Sequence, residues 1–237
     1  MLRNIKTILG YKISAIDGDI GHVHDFYFDD FNWKLRYLVA DTGNWMKENL
    51  VLVSTVALEQ PDWQSRRFPI MLDRKSIETS PPVSKHEPVS VEREKEIAQY
   101  YRWPVYWPPV DLKPQYLSES DTMIAEQSHL RSINKVLDYN IHALDGKIGY
   151  VRDFIIDDQS WTIRYLVIDT KHFIPGNSVL VSPSWVQNVD WDNSQLDVDL
   201  DKKSIMDSPK YDPTKPVNEE YEMRLYDYYG RPVDWLH

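Results

Sequence analysis

The stretch Asp17-Gly18-Asp19-Ile20-Gly21-His22-Val23-His24-Asp25-Phe26, followed by Trp33-Lys34-Leu35-Arg36-Tyr37-Leu38-Val39, returns 128 residues later. There it reads Asp145-Gly146-Lys147-Ile148-Gly149-Tyr150-Val151-Arg152-Asp153-Phe154, then Trp161-Thr162-Ile163-Arg164-Tyr165-Leu166-Val167. The offset carries outward without a gap. Asp29-Asp30 matches Asp157-Asp158, Val51-Leu52-Val53-Ser54 matches Val179-Leu180-Val181-Ser182, and Asp62-Trp63 matches Asp190-Trp191. Further on, Lys75-Ser76-Ile77 matches Lys203-Ser204-Ile205, and Tyr100-Tyr101 matches Tyr228-Tyr229. The period is too long for a solenoid unit and reads as duplication of a whole domain. It divides the chain into copy one over 1–107, a Pro-rich linker over 108–128 containing Pro108, Pro109 and Pro114, and copy two over 129–237.

Within copy one, Tyr11–Ile16 predicts a short strand and Asp17-Gly18 a turn, since Gly tolerates positive φ and Asp bonds its own backbone. Gly21–Asp29 predicts a second strand, Asp30–Asn32 a turn, and Trp33–Asp41 a third strand rich in aromatic and β-branched residues. Val51–Ser54 predicts a short strand apolar on both faces, with further strand segments over Ala57–Trp63 and Phe68–Leu72. Copy two repeats the series over Ile141–Leu144, Tyr150–Asp157, Trp161–Asp169, Val179–Ser182, Trp185–Trp191 and Leu196–Leu200. Glu92–Tyr101 and Glu219–Tyr229 carry apolar residues at helical spacing and end before Pro104 and Pro232, which predicts a helical tail on each copy. Many short strands separated by turns predict a mainly β chain of two small barrels or sandwiches, each followed by its tail.

The ordered pattern Asp17-Gly18-x-x-Gly21-x-Val23-x-Asp25 and Trp33-x-x-Arg36-Tyr37-Leu38-Val39, present twice, resembles the PRC-barrel family. That family includes the cytoplasmic domain of the photosynthetic reaction-centre H subunit and a domain of a ribosome maturation factor. The resemblance covers most of both copies. It implies a small, strongly bent barrel of about six strands in each half, no common enzymatic activity, and action by docking to other macromolecules.

The formal net charge of −10 disfavours a broad nucleic-acid or anionic-membrane surface, because phosphate binding relies on clustered Lys and Arg. With no cysteine in the chain, disulfides, zinc-thiolate sites and cysteine nucleophiles are excluded, which fits a cytoplasmic location. No apolar run approaches the length of a membrane helix, and no signal-peptide stretch opens the chain. Nucleophile elbows, phosphate-cradling glycine loops, zinc-protease helices and dinucleotide fingerprints are missing from the sequence.

Several residues remain as candidate sites. Asp25 and Arg36, with Asp153 and Arg164, sit on strands among apolar neighbours; a half-buried charge needs a partner, so they read as cross-strand structural pairs or as an acid/base site. Asp29-Asp30 and Asp157-Asp158 fit turn initiation or a cation seat. His22 and His24, two apart on one strand face, have the spacing of a metal-ligand pair, although copy two places Tyr150 and Arg152 there. Tyr100, Tyr101, Trp103 and Trp107, echoed by Tyr228, Tyr229 and Trp235, are candidates for an interface or for packing of each tail on its own barrel. The expected function is a non-enzymatic interaction or assembly protein with a protein partner, homodimerisation included and no cofactor. The alternatives are a small-ligand or metal site between the copies and RNA- or ribosome-associated work.

Overall fold

In the computed structural model, which describes residues 1–43, 49–84, 88–105, 129–170 and 178–233, the repeated runs form the strands of a mainly β molecule. In chain order the first elements are β1 (Leu2–Asn4), β2 (Lys12–Ala15), β3 (Gly18–Asp29), β4 (Lys34–Asp41), β5 (Leu50–Ser54) and β6 (Arg67–Pro69). Helix α1 (Arg74–Glu78), strand β7 (Pro82–Val83) and helix α2 (Val91–Tyr101) follow. Then come β8 (Leu130–Ser132), α3 (Ile133–Val136), β9 (Asn140–Ala143), β10 (Gly146–Asp157), β11 (Thr162–Asp169) and β12 (Ser178–Val181). The series ends with β13 (Val186–Asp190), β14 (Gln195–Val198), α4 (Lys202–Asp207) and α5 (Glu219–Tyr229).

Two compact units result, and their edges depart from those of the sequence repeat. One unit is Ile8–Ile133; the other is Met1–Thr7 together with Asn134–His237. The first strand of copy one therefore folds with copy two, and the first strand of copy two folds with copy one. The expected linker at 108–128 lies outside the described residues.

In the copy-one unit, strand pairing runs β6-β2-β3-β4-β5-β7, with β2–β6 parallel and the other pairs antiparallel. β3 is the axis of this sheet. One edge pairs with β4 along most of its length; the other pairs with β2 through its first half and with β8 through Tyr27, Phe28 and Asp29. Register shifts between Val23 and Asp25 and between Tyr27 and Phe28 break the alternation, and bulges of this kind bend a strand and raise its twist. The copy-two unit repeats this as β13-β14-β9-β10-β11-β12, with β1 added to β10 and shifts at Val151/Asp153 and Ile155/Ile156. Among the described strands neither run closes on itself, so each is a bent open sheet at the level of strand pairing.

The repeated glycine of the Asp-Gly-x-x-Gly motif marks a close crossing of two strands. A Cβ at Gly21 would lie 2.0 Å from the Asp41 carbonyl oxygen, and one at Gly149 2.2 Å from that of Asp169. Only a residue without a side chain fits there.

The sheet of the copy-one unit is apolar on both sides, as the Val51–Ser54 run predicts. Phe26, Phe28, Leu38 and Phe68 are fully buried. The other side carries Tyr27, Tyr37, Val39, Leu50 and Leu52, packed with Ile97 of α2, Val89 and Leu130 of the exchanged strand. Each such aliphatic side chain removed from water contributes about 1.5–3 kcal/mol. The tail helix is thus a second layer over the sheet. Ser90 and Asn218 cap the two tails at their N-termini, and Arg102 and Gly230 end them in the left-handed region.

Two local expectations are corrected. Ala57–Trp63 forms no strand; a 3-10 turn at Thr55–Ala57 and isolated bridges Leu58–Ile70 and Asp62–Arg67 occupy it, although its counterpart β13 is a strand. Trp33 and Trp161 are turn residues with φ of 55° and 57°, and β4 and β11 begin one residue later. For Trp33, stacking on Phe28 at 5.3 Å holds an aromatic side chain in a conformation L residues seldom adopt. The Lys-Ser-Ile segments are short helices, capped by Asp73 and Asp201, whose carboxylates accept from the amides of Ser76 and Ser204.

Candidate functional site

The bulge before Asp25 and Asp153 turns these acids inward, and both are buried. Asp153 Oδ2 accepts from the Asn4 side-chain amide at 2.9 Å, and its Oδ1 accepts from the backbone N–H groups of Phe154 at 2.8 Å and Lys6 at 3.2 Å. Asn4 Oδ1 in turn accepts from the Tyr211 hydroxyl at 2.7 Å. Asp25 occupies the matching place in the other unit. It accepts from its neighbour's amide, Phe26 N–H, at 2.7 Å, and from the Ser132 hydroxyl of the exchanged strand. Burial pushes the Asp153 carboxyl above its ordinary range, against the pull of its hydrogen bonds from Asn4, Phe154 and Lys6.

Neutral donors hold Asp153, and Arg164 reaches the tail helix. Arg164 pairs with Glu222 at 3.2 Å. Arg36 pairs with Asp29 at 2.9 Å, both side chains being mostly shielded. In the ladder Asp153 faces Val167 and Asp25 faces Val39, each three positions along the strand from Arg164 or Arg36.

Two acids that sequence reasoning passed over are buried as well. Glu94 on α2 and Glu222 on α5 are buried at 2% and 7% exposure. Each receives the hydroxyl of the repeated strand tyrosine: Tyr165 donates to Glu222 Oε1 at 2.8 Å, and Tyr37 to Glu94 Oε2 at 3.4 Å. Burial and the adjacent carboxylate raise both phenols far above their ordinary value. The only signal in the sequence was the recurrence of a glutamate at the 128-residue offset, which Glu92 and Glu220 show equally.

The strands β1 and β8 were also missed. Leu2-Arg3-Asn4-Ile5 and Leu130-Arg131-Ser132-Ile133 precede the first predicted strand of each copy at the 128-residue offset. Both bind in the same register. Leu2, Arg3 and Asn4 face Asp157, Ile156 and Ile155; Leu130, Arg131 and Ser132 face Asp29, Phe28 and Tyr27. Asp158 N–H donates to the Met1 carbonyl and Asp30 N–H to the His129 carbonyl, each at 3.0 Å. Arg3 Nε reaches Asp158 at 3.5 Å, Arg131 Nε reaches Asp30 at 2.7 Å, and His129 Nδ1 lies 3.0 Å from Asp30. The Asp-Asp pairs thus do two jobs: the first residue opens the turn, accepting from Phe31 and Gln159, and the second receives the exchanged strand.

His22 is exposed, opposite Asp41 across the ladder, and His24 is half-buried. Among the described residues no group of three or more His, Cys, Asp or Glu is arranged to hold a metal ion. The tail tyrosines fasten each helix to its own unit. Tyr100 donates to the Ser76 carbonyl at 2.8 Å and Tyr228 to the Ser204 carbonyl at 3.0 Å, while the two rings stay about two-fifths exposed at 40% and 42%. Tyr101, half-buried, stacks on Trp103 at 4.1 Å, and Tyr229 packs against Trp185 at 4.7 Å. Desolvation pushes the Tyr101 and Tyr229 phenols up to about 12. Trp107 and Trp235 lie outside the described residues.

Each unit also has an open cleft between the segment after its short helix and the start of its tail. The copy-two cleft, about 450 Å³, is lined by Tyr211, Tyr221, Lys210 and Arg224 among others. The copy-one cleft, about 480 Å³, is lined by Val83, Val89, Pro88 and Arg93. The shared position belongs to the fold: Pro88 and Val89 recur as Pro216 and Val217, while Val83 is replaced by Tyr211.

One surface differs between the units in a directed way. In the copy-one unit Ile16, Val56 and Met71 are exposed at 74%, 52% and 53%. Their backbones are linked: Ile16 N–H donates to the Leu72 carbonyl at 3.0 Å and Met71 N–H to the Ala57 carbonyl at 2.8 Å. The positions 128 residues later hold Leu144, Ser184 and Asp199, and Asp199 is engaged by Arg231 at 3.0 Å. Among the described residues no helix is long and apolar enough to cross a membrane. No protein-family model matches the chain, and no curated protein matches it significantly.

Proposed function

We propose that this chain is a non-enzymatic interaction or assembly protein of PRC-barrel type, whose copy-one unit docks a protein partner through Ile16, Val56 and Met71. The observation that carries this reading is the contrast between two surfaces built on the same backbone plan. One presents three apolar side chains to water, and the other presents two polar side chains, one closed in an ion pair, beside Leu144. Exposed apolar side chains grouped on one surface are a common mark of docking sites. The repeated acids Asp25, Asp153, Glu94 and Glu222 hold strands and tails, and this surface is a feature that distinguishes the units.

The test compares affinity capture from the native cell by the wild-type chain and by the double variant Ile16→Asp, Met71→Asp. Both positions are exposed, so the fold should tolerate the change. The reading expects at least one partner captured by the wild type to be lost from the variant, while Leu144→Asp retains it. Identical capture by all three chains would contradict it.

A further inference from the structure

The exchanged strands define a peptide-binding edge that neither the proposed docking surface nor the tails use. The last turn of β3 and of β10 receives an extended segment through the same set of contacts. Asp30 or Asp158 takes the arginine, Asp25 or Asp153 takes the small polar side chain two strand positions from the leucine, and the backbone amide of Asp30 or Asp158 closes the end. The following isoleucine, Ile5 or Ile133, is fully buried. The two donors differ in this core only at Asn4 against Ser132, and both side chains donate to the buried aspartate.

We infer that each acceptor edge is a site for strand addition that recognises an extended Leu-Arg-(Asn/Ser)-Ile segment, and that a second copy of this chain can supply it in place of the resident strand. Main-chain bonds give strand addition its affinity and side-chain pockets its specificity. Here the two acids are the pockets. Because donor and acceptor are duplicated together, the segment of either repeat fits the edge of either repeat, and trans exchange needs no contact that is not already made in cis. The resident strand has the advantage of its tether, which for a short connection is equivalent to a concentration on the order of millimolar. Weakening that strand exposes the site.

The probe is a labelled peptide of residues 1–8, with a control peptide in which its arginine and asparagine are alanine. It is added to the full chain carrying Arg3→Ala and Asn4→Ala, and co-elution on gel filtration is measured. The expected result is retention of the native peptide by the variant chain, with retention of the control lower by about tenfold or more, the scale of one lost charge-assisted hydrogen bond. Adding Asp158→Asn to the variant chain lowers retention of the native peptide by a similar factor. If the variant chain does not fold alone, the native peptide restores its circular dichroism and the control does not. Equal retention of both peptides, retention of neither by a folded chain, or failure of the peptide to restore an unfolded one would overturn the inference.

Discussion

Asp153 accepts a hydrogen bond from Asn4, 149 positions away in the chain, and the acid and the amide belong to different sequence repeats. The same relationship joins Ser132 to Asp25. A buried carboxyl left without its donor bears its full desolvation cost, so the exchanged strand is tied to the unit by more than its three residues of ladder.

Asn4→Ala should therefore cost about 1–3 kcal/mol, because it strips a partner from Asp153 and another from the Tyr211 hydroxyl. Urea unfolding of the variant and wild type measures it. A loss below about 0.5 kcal/mol, the range of ordinary surface substitutions, would show that β1 is not anchored there.

The contact between strand and tail predicts an order. Glu222→Ala removes the partner of Arg164 and the acceptor of Tyr165 together, and should cost about 3 kcal/mol. Tyr165→Phe removes only the hydroxyl, at about 1 kcal/mol. Thermal unfolding of both variants checks the order; the reverse would mean that the tail is held by its aromatic residues and not by its buried acid.

Gly149→Ala should destabilise by about 1–3 kcal/mol, since the added methyl meets a backbone carbonyl and not a side chain that can swing away. Gly10→Ala is the control, with nothing within 4 Å of its Cβ, although its φ of 77° carries a strain of its own. Chemical denaturation of the pair separates close approach from left-handed backbone.

The acids titrate in opposite senses. Burial raises Asp153 above the ordinary 3.8, so it binds its proton more tightly folded than unfolded. Its contribution to stability is complete below 3.8 and is lost as pH rises through the folded value. Asp19, exposed beside Arg67 and Lys12, is lowered to about 2, so its contribution is present above 3.8 and is lost as pH falls through about 2. Carboxyl-carbon NMR titration should give midpoints on the two sides of 3.8. Coincident midpoints would contradict both assignments.

The repeat, the Asp-Gly turns and the long aromatic strands were legible because period-two patterns and turn residues are local signals. The tail helices were legible for the same reason, with Glu92–Tyr101 expected and Val91–Tyr101 found. What escaped depends on distance. A three-residue strand such as Leu2–Asn4 has no periodicity to read, and its partner lies in the other half of the chain. The ladder register is equally silent in composition: Asp153 faces Val167, three positions from Arg164, which the residue types alone do not reveal. Glu222 read as one more exposed helix acid, since nothing local announces that Tyr165 waits beneath it.

The exchange of strands can be trapped covalently, because the chain has no cysteine of its own. Two variants, Leu2→Cys with Asp157→Cys, which are opposed across the ladder, and Leu2→Cys with Asp29→Cys, are oxidised under mild conditions and the disulfide is mapped by peptide mass. An exchanged strand predicts rapid intrachain closure of the first pair and none of the second. Closure of the second pair in place of the first would mean that each repeat keeps its own opening strand.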